Sequence, residues 1–233
     1  MSVLNSIRSQ VAPIHPEGYP FVGIAALVSL VLLWMWPALG WLAVAATMWC
    51  AYFFRDPQRV TPVRQGIVVA PADGRVSQIV NAVPPQELAL GERALPRISI
   101  FMSVFDCHVN RSPVAGRVER VVYRAGKFLS ADLDKASEDN ERNAFVIATG
   151  TGQRFGVIQI AGLVARRIVP FVREEEAVAA GQRIGMIRFG SRVDVYLPEG
   201  ARALVAEGQT AIAGETVLAD FKSTEAGPTF RVA

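Results

Sequence analysis

The sequence predicts a mainly β (α+β) fold: a compact β-sandwich or flattened barrel preceded by an N-terminal apolar helical hairpin. Three observations predict it. No charged residue occurs from Gly18 to Phe54. Beyond Phe54 the chain breaks into short Val- and Ile-rich runs, with turn residues about every 8 to 12 positions, the spacing of a β-rich domain. The pattern Pro-x-x-Gly-Arg-Val occurs at Pro71–Val76 and again at Pro113–Val118, each time a turn leading into a strand.

A chain of 233 residues allows one sizeable domain or two small ones. Apolar residues make up 51% and mean hydropathy is +0.28, high for a soluble protein, but the excess is local. The division that follows is a lead over residues 1–17, a membrane-associated hairpin over 18–54 and a β-rich domain over 55–233. A net charge of +3 and a pI near 9.1 suit an anionic membrane surface and are too diffuse to indicate nucleic acid. Cys50 and Cys107 are too few for a disulfide framework and are expected as reduced thiols on a cytosolic side. Two His and two Cys argue against a structural zinc site.

Within the hairpin, Pro37 and Gly40 interrupt the apolar block and leave two halves of about 17 residues. Each half is about 25 Å long, slightly short of a hydrocarbon core of about 30 Å. Trp34, Trp36 and Trp41 cluster at the break, as interfacial aromatics do. Arg8 before the block and Arg55, Arg59 and Arg64 after it favour both ends on the cytoplasmic side, as two thin spans or as a re-entrant hairpin. His15, in the Pro-rich lead, is read as interfacial.

In the β-rich part the two Pro-x-x-Gly-Arg-Val copies predict two similar sheet halves packed together. A strand is expected over Ala144–Thr149, preceded by a loop or short helix over Ser130–Arg142 with Ser130 as N-cap. The acidic triplet Glu174–Glu176 is read as a solvated face. The segments from Ala179 and from Ala206 also look alike. Their Gly-containing turns resemble the flattened barrels of lipoyl and biotinyl carriers, although neither turn has the lysine a carrier needs.

Few residues offer chemistry. His108 ends an apolar run beside a turn, where an imidazole is either structural or able to move protons near neutral pH. Asp73 sits in a turn, where Asp commonly bonds its own backbone. Ser191 follows Gly190 between two apolar runs, a placement that a tight turn also explains. A Ser, a His and an Asp on three separate loops are the parts of a nucleophilic constellation, provided that the fold brings them together.

Five segments in order, "FFRDPQRVTP", "APADGRVSQI", "FMSVFDCHVNRSPVAGRV", "NERNAFVIAT" and "RFGSRVDVYLP", resemble the short bacterial form of phosphatidylserine decarboxylase proenzyme. The resemblance spans the chain from the end of the apolar block to Pro198. It implies a lyase made as a zymogen, in which Gly190-Ser191 is an autocatalytic cleavage site. Ser191 attacks the Gly190 carbonyl, and the resulting ester breaks by β-elimination. Hydrolysis then leaves a pyruvoyl group at position 191. Residues 1–190 and 191–233 stay associated as large and small chains. The ketone forms a Schiff base with the amine of phosphatidylserine and takes up the electrons released as CO₂ departs, yielding phosphatidylethanolamine without a metal or added cofactor.

The resemblance further implies that His108 handles protons in decarboxylation and that Asp73 belongs to the self-cleavage relay. Two positions depart from longer family members. Arg111 stands where they carry a second histidine, so either His108 serves both reactions or Asp73 acts directly. Arg111 cannot be a base near neutral pH, but its guanidinium suits the lipid phosphate or carboxylate. Arg192 stands where they often have Thr. The implied partner is phosphatidylserine in an anionic membrane, and the location is the cytoplasmic face of the inner membrane, peripheral or monotopic. The flanking arginines would favour that surface by about 1 kcal/mol each. A homodimer follows by family analogy only. The competing readings are a membrane-anchored, lipoyl-like carrier or adaptor without catalysis, and a pyruvoyl decarboxylase of a soluble amino acid, which the hairpin argues against.

Overall fold

Pro37 divides the apolar block where expected. The structure, a computed structural model, describes residues 12–126, 140–162, 167–188, 191–223, 228 and 230. The chain forms two compact units, Met1–Gln58 and Arg59–Ala233.

In the first unit, α1 (Tyr19–Met35) and α2 (Pro37–Phe53), each of 17 residues, flank Trp36. The Pro37 ring cannot continue the preceding helix but suits the first position of the next. The helices pack closely because Gly40 lacks a side chain; a Cβ there would lie 2.5 Å from the Leu33 backbone. The Ser29 and Thr47 hydroxyls meet across the pair at 2.9 Å. Most large side chains face outward, with Trp34 at 87% exposure. Pro16–Met35 is long and apolar enough to cross a membrane, whereas Pro37–Phe53 is shorter. His15 fastens the start of this unit to its end. Its Nδ1 accepts from Glu17 N, and its own N–H donates to Phe54 O at 2.8 Å.

The second unit begins with β1 (Ile67–Val69), β2 (Gly74–Ala82), β3 (Leu95–Met102), β4 (Val109–Arg111) and β5 (Gly116–Arg124). Next come β6 (Arg142–Ala148), β7 (Arg154–Ala161), β8 (Arg167–Pro170), β9 (Ala177–Val178) and β10 (Arg183–Arg188). The last strands are β11 (Ser191–Tyr196), β12 (Arg202–Ala203), β13 (Thr210–Ala211) and β14 (Val217–Asp220). An eight-stranded sheet of order β13-β2-β3-β11-β7-β6-β5-β9 curls into a half-barrel, and two three-stranded sheets, β1-β14-β12 and β4-β10-β8, complete the unit. β6 starts two residues before the expected Ala144, and most of the Ser130–Arg142 segment lies outside the described residues.

The large sheet reads alike from either end, which is the physical content of the repeated Pro-x-x-Gly-Arg-Val pattern. β2 and β5 each carry a bulge, at Val76/Gln78 and Val118/Arg120. Each begins with a glycine that the neighbouring strand crowds: a Cβ on Gly74 would lie 2.1 Å from Phe101 O, and one on Gly116 2.2 Å from Ala148 O. The two turns also exchange bonds, Val69 N to Pro113 O at 2.9 Å and Arg111 N to Pro71 O at 2.8 Å. The later likeness has a different register from the one the sequence suggests. Gly181 matches Gly214, not Gly208. Both have left-handed φ (76° and 77°), and their N–H groups bond Ser112 O and Ala70 O.

The main core lies on one face of the large sheet and includes Ile98, Ile100, Phe145, Val157, Val193 and Val195. A smaller cluster with Leu88, Ile158, Ile160 and Tyr196 covers the other face. β11 is central and pairs through all six of its residues with both β3 and β7. The Glu174–Glu176 face is exposed as expected, but it also binds: Glu174 accepts from Val121 N, and Glu176 from Arg173 N.

Candidate active site

Strand alternation divides the side chains of β11 between two environments. Val193 and Val195 join the main core and Tyr196 the smaller cluster, so Ser191 shares the main-core face, and Arg192 and Asp194 the other. Ser191 is fully buried and lies in register between Met102 and Ala161. Among the described residues its hydroxyl has one hydrogen-bond partner, the Met102 sulfur at 3.2 Å. Gly190, the other half of the expected cleavage pair, lies outside the described residues.

His108 is also fully buried. Its Nδ1 lies 2.9 Å from the Asp106 backbone oxygen. A carbonyl only accepts, so Nδ1 carries the proton and Nε2 is the basic nitrogen of the neutral ring. The turn holding that carbonyl is closed by Asp106 itself, whose Oδ2 accepts from Ser103 N at 2.7 Å. The His108 carbonyl accepts from Ile187 N, which ties the histidine to β10 just upstream of Ser191.

Asp73 is tied elsewhere. Its Oδ2 accepts from Arg59 Nη2 at 2.6 Å and its Oδ1 from Ala213 N at 2.8 Å. Arg75 pairs with Phe101, which pairs in turn with Arg192. Asp73 therefore emerges at the same end of the sheet as Ser191 but two strands away, about 10 Å between backbones. Arg111 is 7% exposed, and its Nη1 donates to Gly181 O at 2.8 Å. The structure thus places Ser191 and Asp73 toward one end of the large sheet and ties His108 to β10, while neither His108 nor Asp73 is the partner of the Ser191 hydroxyl.

Sequence reasoning passed over two sets of residues here. One is a buried amide chain behind Met102. Asn110 Nδ2 donates to the Met102 sulfur at 3.6 Å, Gln159 Nε2 to Asn110 Oδ1 at 2.7 Å, and Asn143 Nδ2 to Gln159 Oε1 at 3.2 Å. The polar residues inside otherwise apolar strands, Asn110, Asn143 and Gln159, were the available signal. The other is a buried ionic group on the far face of β11. Arg192 and Asp194 meet at 2.9 Å, and Arg97 lies 3.9 Å from the same carboxylate. Burial, with the Asp194 charge adding to it, pushes the Tyr196 phenol up against the opposing pull of Arg97 and Arg192. Pairing within this group is the structural reason for a cation directly after Ser191.

Comparison with known proteins follows the same segments. The model of the phosphatidylserine decarboxylase family matches residues 46–219. A phosphatidylserine decarboxylase proenzyme from Nitrobacter winogradskyi is 66% identical over 226 residues, covering 97% of this chain and 91% of that protein.

Proposed function

The chain belongs to the phosphatidylserine decarboxylase family, and on that premise we propose that it is made as a proenzyme that cuts its own Gly190-Ser191 bond. The ketone left at position 191 then serves to convert phosphatidylserine into phosphatidylethanolamine and CO₂ at a membrane surface.

The observation that carries this reading is the position of Ser191 as the first residue of the central strand. A cut just before it breaks no strand pairing among the described residues. The small chain would keep β11 between β3 and β7, β13 beside β2, and β14 between β1 and β12. The two products would then be held together by the sheet, and the new N-terminus would stay where folding put it. The surroundings of position 191 also fit a ketone. It is uncharged, so its burial carries no ion-desolvation penalty. A ketone there supplies an electrophile for the substrate amine and a sink for the electrons that CO₂ leaves behind.

The chain's own residues have these roles. His108, with Nδ1–H fixed on Asp106 O, takes and returns protons through Nε2 and serves both self-cleavage and protonation of the product at Cα. Asp73, with both oxygens engaged, acts by orienting the turn at Ala213 rather than as a free base. Arg111 supplies a guanidinium suited to the substrate's carboxylate or phosphate; its Nη1 also donates to Gly181 O. The charge-free pair α1 and α2 supplies the membrane contact. The flanking cations contribute less than their number suggests, because Arg59 is paired with Asp73 and Arg64 with Asp220.

Intact-mass measurement tests the proposal. Two chains divided at Gly190-Ser191 are expected, with a small chain that hydroxylamine or borohydride labels at residue 191. A single full-length chain in an active preparation overturns it.

A further inference from the structure

We propose that the Met102 thioether sets the orientation of the Ser191 hydroxyl for self-cleavage, and that Asn110, Gln159 and Asn143 hold that thioether in place. The inference rests on the self-cleavage reading and goes beyond it by naming what aims the nucleophile.

Self-cleavage begins as an isomerisation. Ser191 Oγ adds to the Gly190 carbonyl carbon, a C–O bond forms and the C–N bond breaks. The hydroxyl proton leaves through a base and ends on the Ser191 nitrogen. The step needs no co-reactant, but it needs the Oγ lone pair aimed at a carbon and its proton aimed elsewhere. A hydroxyl has one proton, and the sulfur 3.2 Å away is its only hydrogen-bond partner among the described residues. The proton directed at sulfur leaves the lone pairs turned away from it. A thioether accepts weakly and carries no charge. It orients the hydroxyl without binding it strongly enough to oppose loss of the proton, as a carboxylate would.

A methionine with three rotatable bonds needs fixing to act this way. Asn110 Nδ2 provides it at 3.6 Å. The orientation of that amide is coupled to the chain behind it, because Asn143 donates to Gln159 and Gln159 donates to Asn110. Turning the Asn110 amide over would set two NH₂ groups against each other. Met102, Asn110, Asn143 and Gln159 are all fully buried. A glycine makes room for them: Gly185 pairs with Asn110 in register, and a Cβ on it would lie 2.8 Å from Gln159 Nε2.

The test follows conversion of freshly synthesised full-length chain into two chains, for wild type, Met102→Leu, Met102→Gln and Asn110→Ala. Met102→Leu keeps the bulk and removes the acceptor. It should slow cleavage about tenfold or more, while Met102→Gln, which restores an acceptor, stays within a few-fold of wild type. Turnover per trapped ketone in matured Met102→Leu should equal wild type, because residue 191 then has no hydroxyl to orient. Cleavage of Met102→Leu at the wild-type rate overturns the role of Met102 and leaves self-cleavage standing. A matching loss of turnover per ketone makes Met102 merely structural and also overturns it. If Met102→Leu does not fold, Asn110→Ala decides, with delayed cleavage supporting the proposal and the wild-type rate overturning it. A wild-type chain that never divides removes both proposals.

Discussion

Arg59 and Asp73 form an ion pair, Nη2 to Oδ2 at 2.6 Å, with both side chains only 14% exposed. Because the other Asp73 oxygen accepts from Ala213 N, this carboxylate joins three separate segments of the second unit. Asp73→Ala should leave the guanidinium and the Ala213 N–H without this acceptor and cost about 1–3 kcal/mol in urea unfolding. Asp73→Asn keeps a carbonyl oxygen for Ala213 and should cost less. Unchanged stability in both variants would remove the structural role.

His108 depends on the turn that precedes it. His108→Ala should lower decarboxylation by about 100-fold or more, the usual weight of a general acid–base group. Asp106→Ala removes the clamp on Ser103 N but leaves the imidazole. It should lower turnover by roughly tenfold through misorientation of the ring. Steady-state rates normalised to ketone content separate the two effects from incomplete maturation.

Arg64 and Asp220 lie on opposite sides of the proposed cleavage point in sequence and meet at 2.5 Å. Burial alone would raise the Asp220 carboxyl. The N–H groups of Lys222 and Ser223, followed by Arg64, outweigh it and leave the group below its ordinary value. A carboxyl lowered by folding stabilises the folded state at pH above its unfolded value of about 3.9, and that stability is lost as pH falls through the folded value. Thermal stability should therefore decline below about pH 4, with a shallower decline in Asp220→Asn.

Gly74 and Gly116 occupy matching positions in the two halves of the large sheet. Each faces a carbonyl oxygen within 2.2 Å of where a Cβ would sit. Gly74→Ala and Gly116→Ala should be similarly destructive, each losing about 2 kcal/mol or more through backbone displacement. Soluble yield and denaturation midpoints check this, and a tolerated alanine at one site only would show that the two halves are not equivalent in packing.

Deletion of residues 1–54 should move the protein from the membrane pellet to the supernatant after cell fractionation. A pellet fraction equal to that of the full chain would assign membrane binding to residues 55–233.

Much of the architecture was legible locally. Pro37 ends one helix and opens the next because its ring acts on adjacent residues. The repeated Pro-x-x-Gly-Arg-Val announced two related halves because the same crowded turn needs the same glycine twice. The likeness near Ala179 and Ala206 misled about register. The left-handed glycines that correspond, Gly181 and Gly214, are identified by φ and by which carbonyl each binds, neither of which the letters show. Asp73 was legible as a turn residue. Its bonds to Arg59, 14 residues before it, and to Ala213, 140 residues after it, were not.

By itself the sequence determined the charge-free hairpin, the β-rich body and the candidates Ser191, His108 and Asp73, since composition, periodicity and motif order are properties of neighbouring residues. Only the tertiary structure decided that Ser191 heads a central strand, that Met102, 89 residues away, is what its hydroxyl touches, and that Asn110 meets Gln159 in the core. Such contacts depend on strand order and on register to a single residue, because one step along a strand turns every side chain to the opposite face.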